Sequence, residues 1–329
     1  MSLNRGWSYR EEVTAAAQGC TVLTHLATSR RHSTAREWAE RIGRGDVEVD
    51  GVVAAPDTML RAGQSLVWHR PPWQEPEVPR HFEVIHEDDA IVAVAKPSGL
   101  PTMPAGGFLD HTLLALVRAR YPEANPLHRL GRHTSGIVLF ARTHAAAAAL
   151  SRSWRDHEVK KRYLALGSGI AALDTFNIAA PIGPVPHPVL GEVFAASASG
   201  RPSHSVATVL ERRHPIKGCP TNDEGRHPIK GCPTDDEGGP STLFEVAITT
   251  GRPHQIRIHL AYAGHPLTGD PLYDTGCVIK PQPGLPGDGG YLLHAEVLEF
   301  AHPVTGQPTR LHAPPPPGLS RAIERHRAG

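Results

Sequence analysis

The chain is short of cysteine, of aromatic residues and of long apolar runs, and each shortage narrows what it can be. Four cysteines occur in 329 residues, Cys20, Cys219, Cys232 and Cys277. No two form a C-x-x-C pair, so neither a structural zinc site nor a disulfide scaffold is expected. The 21 histidines include no H-E-x-x-H. Isolated ones such as His254 and His259 read as helix-surface or core residues rather than metal ligands. No apolar stretch approaches the roughly 20 residues of a bilayer-spanning helix. The opening residues, MSLNRGWSYREE, hold no apolar signal core, so a cytoplasmic protein is expected. An excess of either charge is missing too. A net charge of +1 leaves nucleic-acid binding to a local basic face. There is no Walker sequence and no G-x-S-x-G elbow. One G-x-G-x-x-A run begins at Gly167, but Asp174 and Pro181 follow too soon for a dinucleotide crossover helix.

What is present divides the chain. Residues 13–68 read as a small module. Thr34 and Glu37 form a capping box, and Ala35, Trp38, Ala39 and Ile42 recur at helical spacing. DVEVDGVV, from Asp46, alternates about an Asp50-Gly51 turn and reads as a hairpin. Arg30, Arg31, Arg36, Arg41 and Arg44 outnumber the acids of this stretch, a basic face suited to phosphate or, equally, a solvated helix surface. Residues 69–81 contain RPPWQEPEVP, a proline-rich tether that excludes helix and central strand.

A second domain is expected over 82–317. AIVAVAK, GIVLFAR and VKKRYLALGSG read as strands, with more at 203–212, 242–250 and 291–300. A helix behind Asp110 as its cap, one over 145–154 and one from Arg252 to Gly264 with Pro253 in its first turn complete the set. Strands outnumber helices without regular alternation. The expected class is α+β, a mostly antiparallel central sheet with flanking helices, preceded by the small α/β module. RHPIKGCPTNDEG at 213–225 is repeated as RHPIKGCPTDDEG, and 213–238 reads as a duplicated surface loop.

The motifs that carry chemistry follow in a fixed order. They are KPSGLPTMP at 96–104, HRLGRHTSG at 128–136, KRYLAL at 161–166, GRPSHS at 200–205, TGRPHQIRIHLAYAGHPLTGDPLY at 250–273 and LLHAEVLEFAHPVTG at 292–306. Together they resemble the RluA-type pseudouridine synthases of RNA. Residues 13–68 resemble the αL-type RNA-binding module of ribosomal proteins, which that family usually carries in front. The resemblance implies a pseudouridine synthase fold. It implies isomerisation of uridine in ribosomal or transfer RNA without metal or organic cofactor, and RNA as the partner. It also implies site residues: Tyr163 as the aromatic against the flipped base, Arg129 and Arg132 on the nucleotide or its phosphate, and Arg257 as the arginine that pairs with the catalytic carboxylate. Arg30, Arg31, Arg36 and Arg44 would follow the RNA backbone.

At one position the chain departs from this family. The pattern H-R-L-D-R-x-T-S-G has its catalytic aspartate where this chain has Gly131. Glycine can supply no acid, base or nucleophile, and removing a catalytic nucleophile costs roughly 10⁴- to 10⁶-fold in rate. Three readings remain open at this stage. A carboxylate from elsewhere serves, Asp110, Asp156 and Asp270 being in or near the motifs. The chain binds RNA without modifying it, as a chaperone or assembly factor. Or the site is rebuilt for another reaction. The readings differ in what Arg257 should meet. It should face water and phosphate, or find a different acid.

Overall fold

The computed structural model describes residues 3–30, 32–188, 190–214 and 239–321, in two compact units, Met1–Pro76 and Glu77–Gly329.

In the first unit, β1 (Trp7–Glu12) is followed by α1 (Val22–Ser29), α2 (Ala35–Gly43), β2 (Val47–Val49), β3 (Val52–Val53) and β4 (Ser65–Arg70). The capping box forms as its sequence predicts. Thr34 Oγ1 accepts the Glu37 N–H, and the Glu37 carboxylate accepts the Thr34 N–H at 2.6 Å. That start turns Trp38 and Ile42 inward onto Val47, Leu66 and Trp68. The strand order is β1-β4-β2-β3. Because β1 pairs with β4 from Trp7 opposite Arg70, the unit takes in residues ahead of 13.

The second unit contains β5 (Glu83–Glu87), β6 (Ile91–Lys96), α3 (Leu113–Arg120), β7 (Asn125–Pro126), β8 (Ser135–Ala141), α4 (His144–Arg155), β9 (Lys160–Ser168), β10 (Thr175–Ile178), β11 (Ile182–His187), β12 (Gly191–Ala196), β13 (Ser205–Arg213), β14 (Ser241–Ile248), α5 (Gln255–Tyr262), β15 (Tyr273–Asp274), β16 (Val278–Ile279), β17 (Leu293–Ala301) and β18 (Pro308–His312). Ten strands form one sheet in the order β10-β13-β14-β9-β17-β8-β6-β5, with β18 on β17 and β7 on β8. Every pairing in it is antiparallel except β17 with β8. This is the α+β architecture expected. Period-two alternation sends Val92 and Val94 of β6 toward α3, and Ile91 and Ala93 toward the opposite core with α4's Ala146 and Leu150.

The parallel β17–β8 contact is only two residues long, His294 opposite Ser135 and Ala295 opposite Gly136. Gly136 has φ +109°, and a Cβ there would lie 2.2 Å from the Ala295 carbonyl oxygen. Only glycine lets the two strands approach so closely, so the glycine of the T-S-G motif has a structural cause.

Two helix expectations are corrected. The cap of α3 is Thr112, whose side chain accepts the Ala115 N–H at 3.2 Å, not Asp110. Helix α5 starts at Gln255 rather than Arg252, because His254 takes a left-handed φ of 54°. Pro253 therefore stands before the helix. Arg31 and residues 215–238, which hold nearly all of the duplicated stretch, lie outside the described residues.

Candidate active site

The H-R-L-G-R-H-T-S-G segment is a turn tied down along its length by the end of β6 and the loop after it. Lys96 Nζ donates to the carbonyls of Pro97, Leu100 and Arg132 at 2.9, 2.7 and 2.9 Å. Ser98 Oγ donates to the His133 carbonyl, and the Gly99 N–H donates to the Arg132 carbonyl, both at 2.9 Å. Thr102 Oγ1 donates to the Leu130 carbonyl and accepts the Leu130 N–H. The turn closes on itself where the Thr134 N–H donates to the Gly131 carbonyl at 3.1 Å. At its start, the Leu139 N–H donates to His128 Nε2, and the imidazole stacks on Trp154.

Lys96 is 1% exposed. Burial pulls its pKa down to about 7, while three carbonyl acceptors favour the ammonium. The K-P-S-G motif was visible in the sequence. What was not visible is that its lysine reaches residue 132.

Gly131 is exposed and its backbone is outside the left-handed region. A Cβ built on it meets only Thr134 Oγ1 at 3.5 Å and Tyr291 Oη at 3.9 Å, ordinary van der Waals contacts. A Cβ at this position therefore fits, beside the Thr134 and Tyr291 hydroxyls. The Arg257 guanidinium lies 4.5 Å from the centre of the Tyr291 ring and 5.0 Å from that of Tyr273.

Arg257, on α5, is 2% exposed and meets a different acid, Asp270, which is 1% exposed. The pair is bidentate, Nε to Oδ2 at 2.7 Å and Nη2 to Oδ1 at 2.8 Å, and Nη1 donates to the Pro286 carbonyl at 3.1 Å. Asp270 Oδ1 also accepts the N–H groups of Leu272 and Tyr273. Burial raises the Asp270 pKa, but these donors outweigh it and hold the carboxyl below its ordinary value. Burial likewise works against the Arg257 charge, and Asp270 reverses it, leaving that pKa raised. With four donors on two oxygens, Asp270 is a counter-ion, well occupied and turned away from water.

The other residues of the G-R-P-H-Q-I-R-I-H motif fix α5. Gln255 Oε1 accepts from Thr250 Oγ1 and the Arg252 N–H, and Nε2 donates to the His204 carbonyl. His259 is fully buried against Ser205 and Ala180, and His254 bonds Tyr273 Oη at 2.8 Å.

Tyr163, on β9, is half-buried between the core under α3 and the core under α5, and burial pushes its phenol up to about 12. Arg129 is exposed and has no hydrogen-bond or ion-pair partner among the described residues. Arg132 donates Nε to the Gly99 carbonyl at 3.2 Å and lies over Phe108. A cavity of about 350 Å³ opens beside the turn, lined by Lys96, Ser98, His133, Tyr291 and His294 among others. Gly131, Arg129 and Tyr163 are off its lining, so it adjoins the candidate site rather than forming it.

In the first unit, Arg30 pairs with Glu11, Arg36 with Glu40 at 3.2 Å and Arg44 with Asp46 at 2.7 Å. Arg41 donates to Ser33 and lies over the rings of Trp38 and Trp68. Tyr9 stacks on Trp68 from the exposed edge strand. Arg30, Arg36 and Arg44 are thus brought to one unit, each with a local acid.

A mostly antiparallel sheet, an H-R-L-x-R turn at the mouth of β8 and a buried arginine on α5 are the features that carry the resemblance to RNA-modifying synthases. The family model described as RNA pseudouridylate synthase matches residues 90–262, more than half of the chain. An uncharacterized RNA pseudouridine synthase of Synechocystis sp. is 42% identical over 88% of this chain and 91% of its own length. Ribosomal large subunit pseudouridine synthase D of Xanthomonas campestris is 32% identical over 92% of this chain and 86% of its own length. Among solved structures, human RNA Pseudouridylate Synthase Domain Containing 1 shares the fold with a TM-score of 0.54 at 22% identity, over 78% of this chain and 97% of that one. The chain belongs to the RNA pseudouridine synthase family.

Proposed function

We propose that this protein converts uridine to pseudouridine in structured RNA, in the cytoplasm, with large-subunit ribosomal RNA the first substrate to test and transfer RNA the second. The observation that carries the reading is the turn at 131–134. It is held by hydrogen bonds from Lys96, Ser98 and Gly99, with Thr102 holding Leu130 just before it, and its Gly131 adjoins Tyr291, over whose ring Arg257 lies. A binding surface needs no such rigidity. Placing a sugar carbon against a reactive group does. The printed name of the Xanthomonas relative supports the choice of ribosomal RNA.

In this reading the target uridine leaves its stack, at a cost of a few kcal/mol. Tyr163 takes the base on its ring, worth roughly 1–3 kcal/mol. Arg129, exposed beside the turn, meets a phosphate, and Arg132 braces the nucleotide from the other side of Gly131. Arg257 supplies fixed positive charge where the uracil leaves as an anion. The module of Arg30, Arg31, Arg36 and Arg44 holds the RNA backbone.

The test uses the purified protein with unmodified ribosomal and transfer RNA, and counts pseudouridine by mass spectrometry after chemical derivatisation. Wild type is expected to form it. Gly131→Asp, which the backbone and the space at 131 accept, is the companion. Silence of wild type on RNA that it binds would overturn the reading in favour of an RNA-binding protein, and activity of Gly131→Asp beside it would show that the pocket is intact.

A further inference from the structure

Given the activity just proposed, the reaction needs a carboxylate that residue 131 cannot supply, and the acid beside Arg257 cannot serve. Asp270 has four hydrogen-bond donors on its two oxygens and 1% exposure. Freeing an oxygen would strand a buried guanidinium. Asp156 ends α4 as its C-cap.

The segment 284–291 holds a different acid. It is fastened around the site at four places. The Pro286 carbonyl accepts Arg257 Nη1 at 3.1 Å. Gly289 lies against the His133 ring so closely that a Cβ would come 2.3 Å from Nδ1. Gly290 meets Gly269, where a Cβ on Gly269 would come 2.0 Å from the Gly290 carbonyl oxygen. Tyr291 puts its hydroxyl 3.9 Å from the Cβ built on Gly131. Asp288 stands in the middle of these anchors, half-buried and next in sequence to the residue that touches His133. One oxygen, Oδ2, accepts the Leu285 N–H at 2.8 Å. Oδ1 has no hydrogen bond among the described residues. Burial lowers the His133 pKa, Arg132, Lys96 and Arg257 lower it further, and Asp288 opposes them.

We propose that Asp288 is the catalytic carboxylate of this protein, presented to the uridine from the 284–291 segment instead of from position 131. In the step assigned to it, one carboxylate oxygen bonds to C1′ as the N1–C1′ bond breaks and its electron pair stays on the uracil. When C5 of the turned uracil bonds to C1′, the pair of the carboxylate–C1′ bond returns to Asp288. The C5 proton leaves to solvent and N1 takes one up, so the product is an isomer and no co-reactant is consumed. The two glycines that follow Asp288, Gly289 and Gly290, hold the segment in place. A side chain at 289 or 290 would push the segment off His133 and Gly269 and withdraw the acid.

The experiment compares wild type, Asp288→Asn, Asp288→Asn with Gly131→Asp, and Glu83→Gln, on the RNA that wild type modifies. Asparagine keeps an oxygen acceptor for the Leu285 N–H, so the segment keeps its shape while the charge goes. Asp288→Asn is expected to bind RNA as wild type does and to lose about 10⁴-fold in rate. Adding Gly131→Asp is expected to return at least part of that loss, which a merely structural role for Asp288 would not allow. Glu83 lines the adjoining cavity with His133 and Tyr291, and Glu83→Gln is expected to stay within about threefold of wild type, inside ordinary surface-substitution effects. An Asp288→Asn protein at the wild-type rate, or loss in Glu83→Gln alone, overturns the assignment of Asp288 and leaves the proposed function standing. Silence of wild type on RNA that it binds overturns both.

Discussion

Arg257 in the second unit and Arg36 in the first carry the same guanidinium in opposite circumstances. Arg257 is 2% exposed, between two tyrosine rings, with three hydrogen bonds and a buried carboxylate. The Arg36 side chain is 90% exposed and meets Glu40 one helical turn away. An exposed pair of that kind is worth about 0–1 kcal/mol, so phosphate can displace the glutamate at little cost. The buried pair cannot exchange. Charge in the second unit is held in place before any substrate arrives, whereas charge in the first is a field that can take new partners.

The strongest way to break the comparison is to remove one member of the buried pair. Asp270→Ala leaves the Arg257 guanidinium without its acid and the Leu272 and Tyr273 N–H groups without an acceptor. A loss of about 3–5 kcal/mol is expected, read from urea unfolding. Glu40→Ala, run beside it, is expected within about 0.5 kcal/mol of wild type. Equal losses in the two variants would erase the distinction.

A second effect is expected with pH, and it too belongs to the buried side. His128 Nε2 accepts the Leu139 N–H, so protonation would set one donor against another. Burial, aided by Lys161, holds the His128 pKa down to about 4 against the ordinary 6.5. The unfolded chain takes up this proton near pH 6.5 and the folded chain does not. The stability is therefore complete above about 6.5 and is lost as pH falls toward about 4, on the order of 3 kcal/mol. Urea midpoints at pH 7 and pH 5 should show the fall, and His128→Gln should make it shallower, the remainder belonging to other buried histidines such as His254. A slope unchanged in that variant would mean that other groups carry the pH dependence.

Lys96 gives a smaller test of the same kind. Lys96→Met keeps the apolar stem and removes three donors from the carbonyls of Pro97, Leu100 and Arg132. About 1–3 kcal/mol of stability should go, the cost of leaving buried acceptors unmet. Activity should fall by a larger factor than this, because the turn at 131–134 loses its tie. A variant with wild-type turnover would show that Ser98, Gly99 and Thr102 hold the turn alone.

These examples separate what the residues announced from what they concealed. The helix cap at Thr34, the strands at 159–169 and 242–250 and the motif order rest on local pattern, and the structure follows them. The start of α5 does not, because a left-handed His254 is invisible to periodicity. The tie from Lys96 to Arg132 spans 36 positions and the pair of Arg257 with Asp270 spans 13. Both motifs were in view, yet side-chain partners across a fold are set by tertiary packing. Asp270 stood only as one of three acids in or near the motifs for that reason. Tyr291 and Asp288 sat in or beside a motif with no signal of their own, and only the turn they border makes them candidates.

The last and smallest test concerns the first unit. If Arg36 and Arg44 exchange Glu40 and Asp46 for phosphate, each replaces one counterion on the RNA. Alanine at either position should then leave folding within about 0.5 kcal/mol. It should lower RNA affinity evenly across sequences and reduce the slope of log affinity against log salt by about one. Arg257 variants, by contrast, should lose turnover without a change in that slope, since the buried guanidinium meets no phosphate and releases no counterion. An unchanged slope in the Arg36 and Arg44 variants would return these arginines to the role of ordinary surface ion pairs, and the RNA path would have to be sought along the exposed edge strand that carries Trp7 and Tyr9.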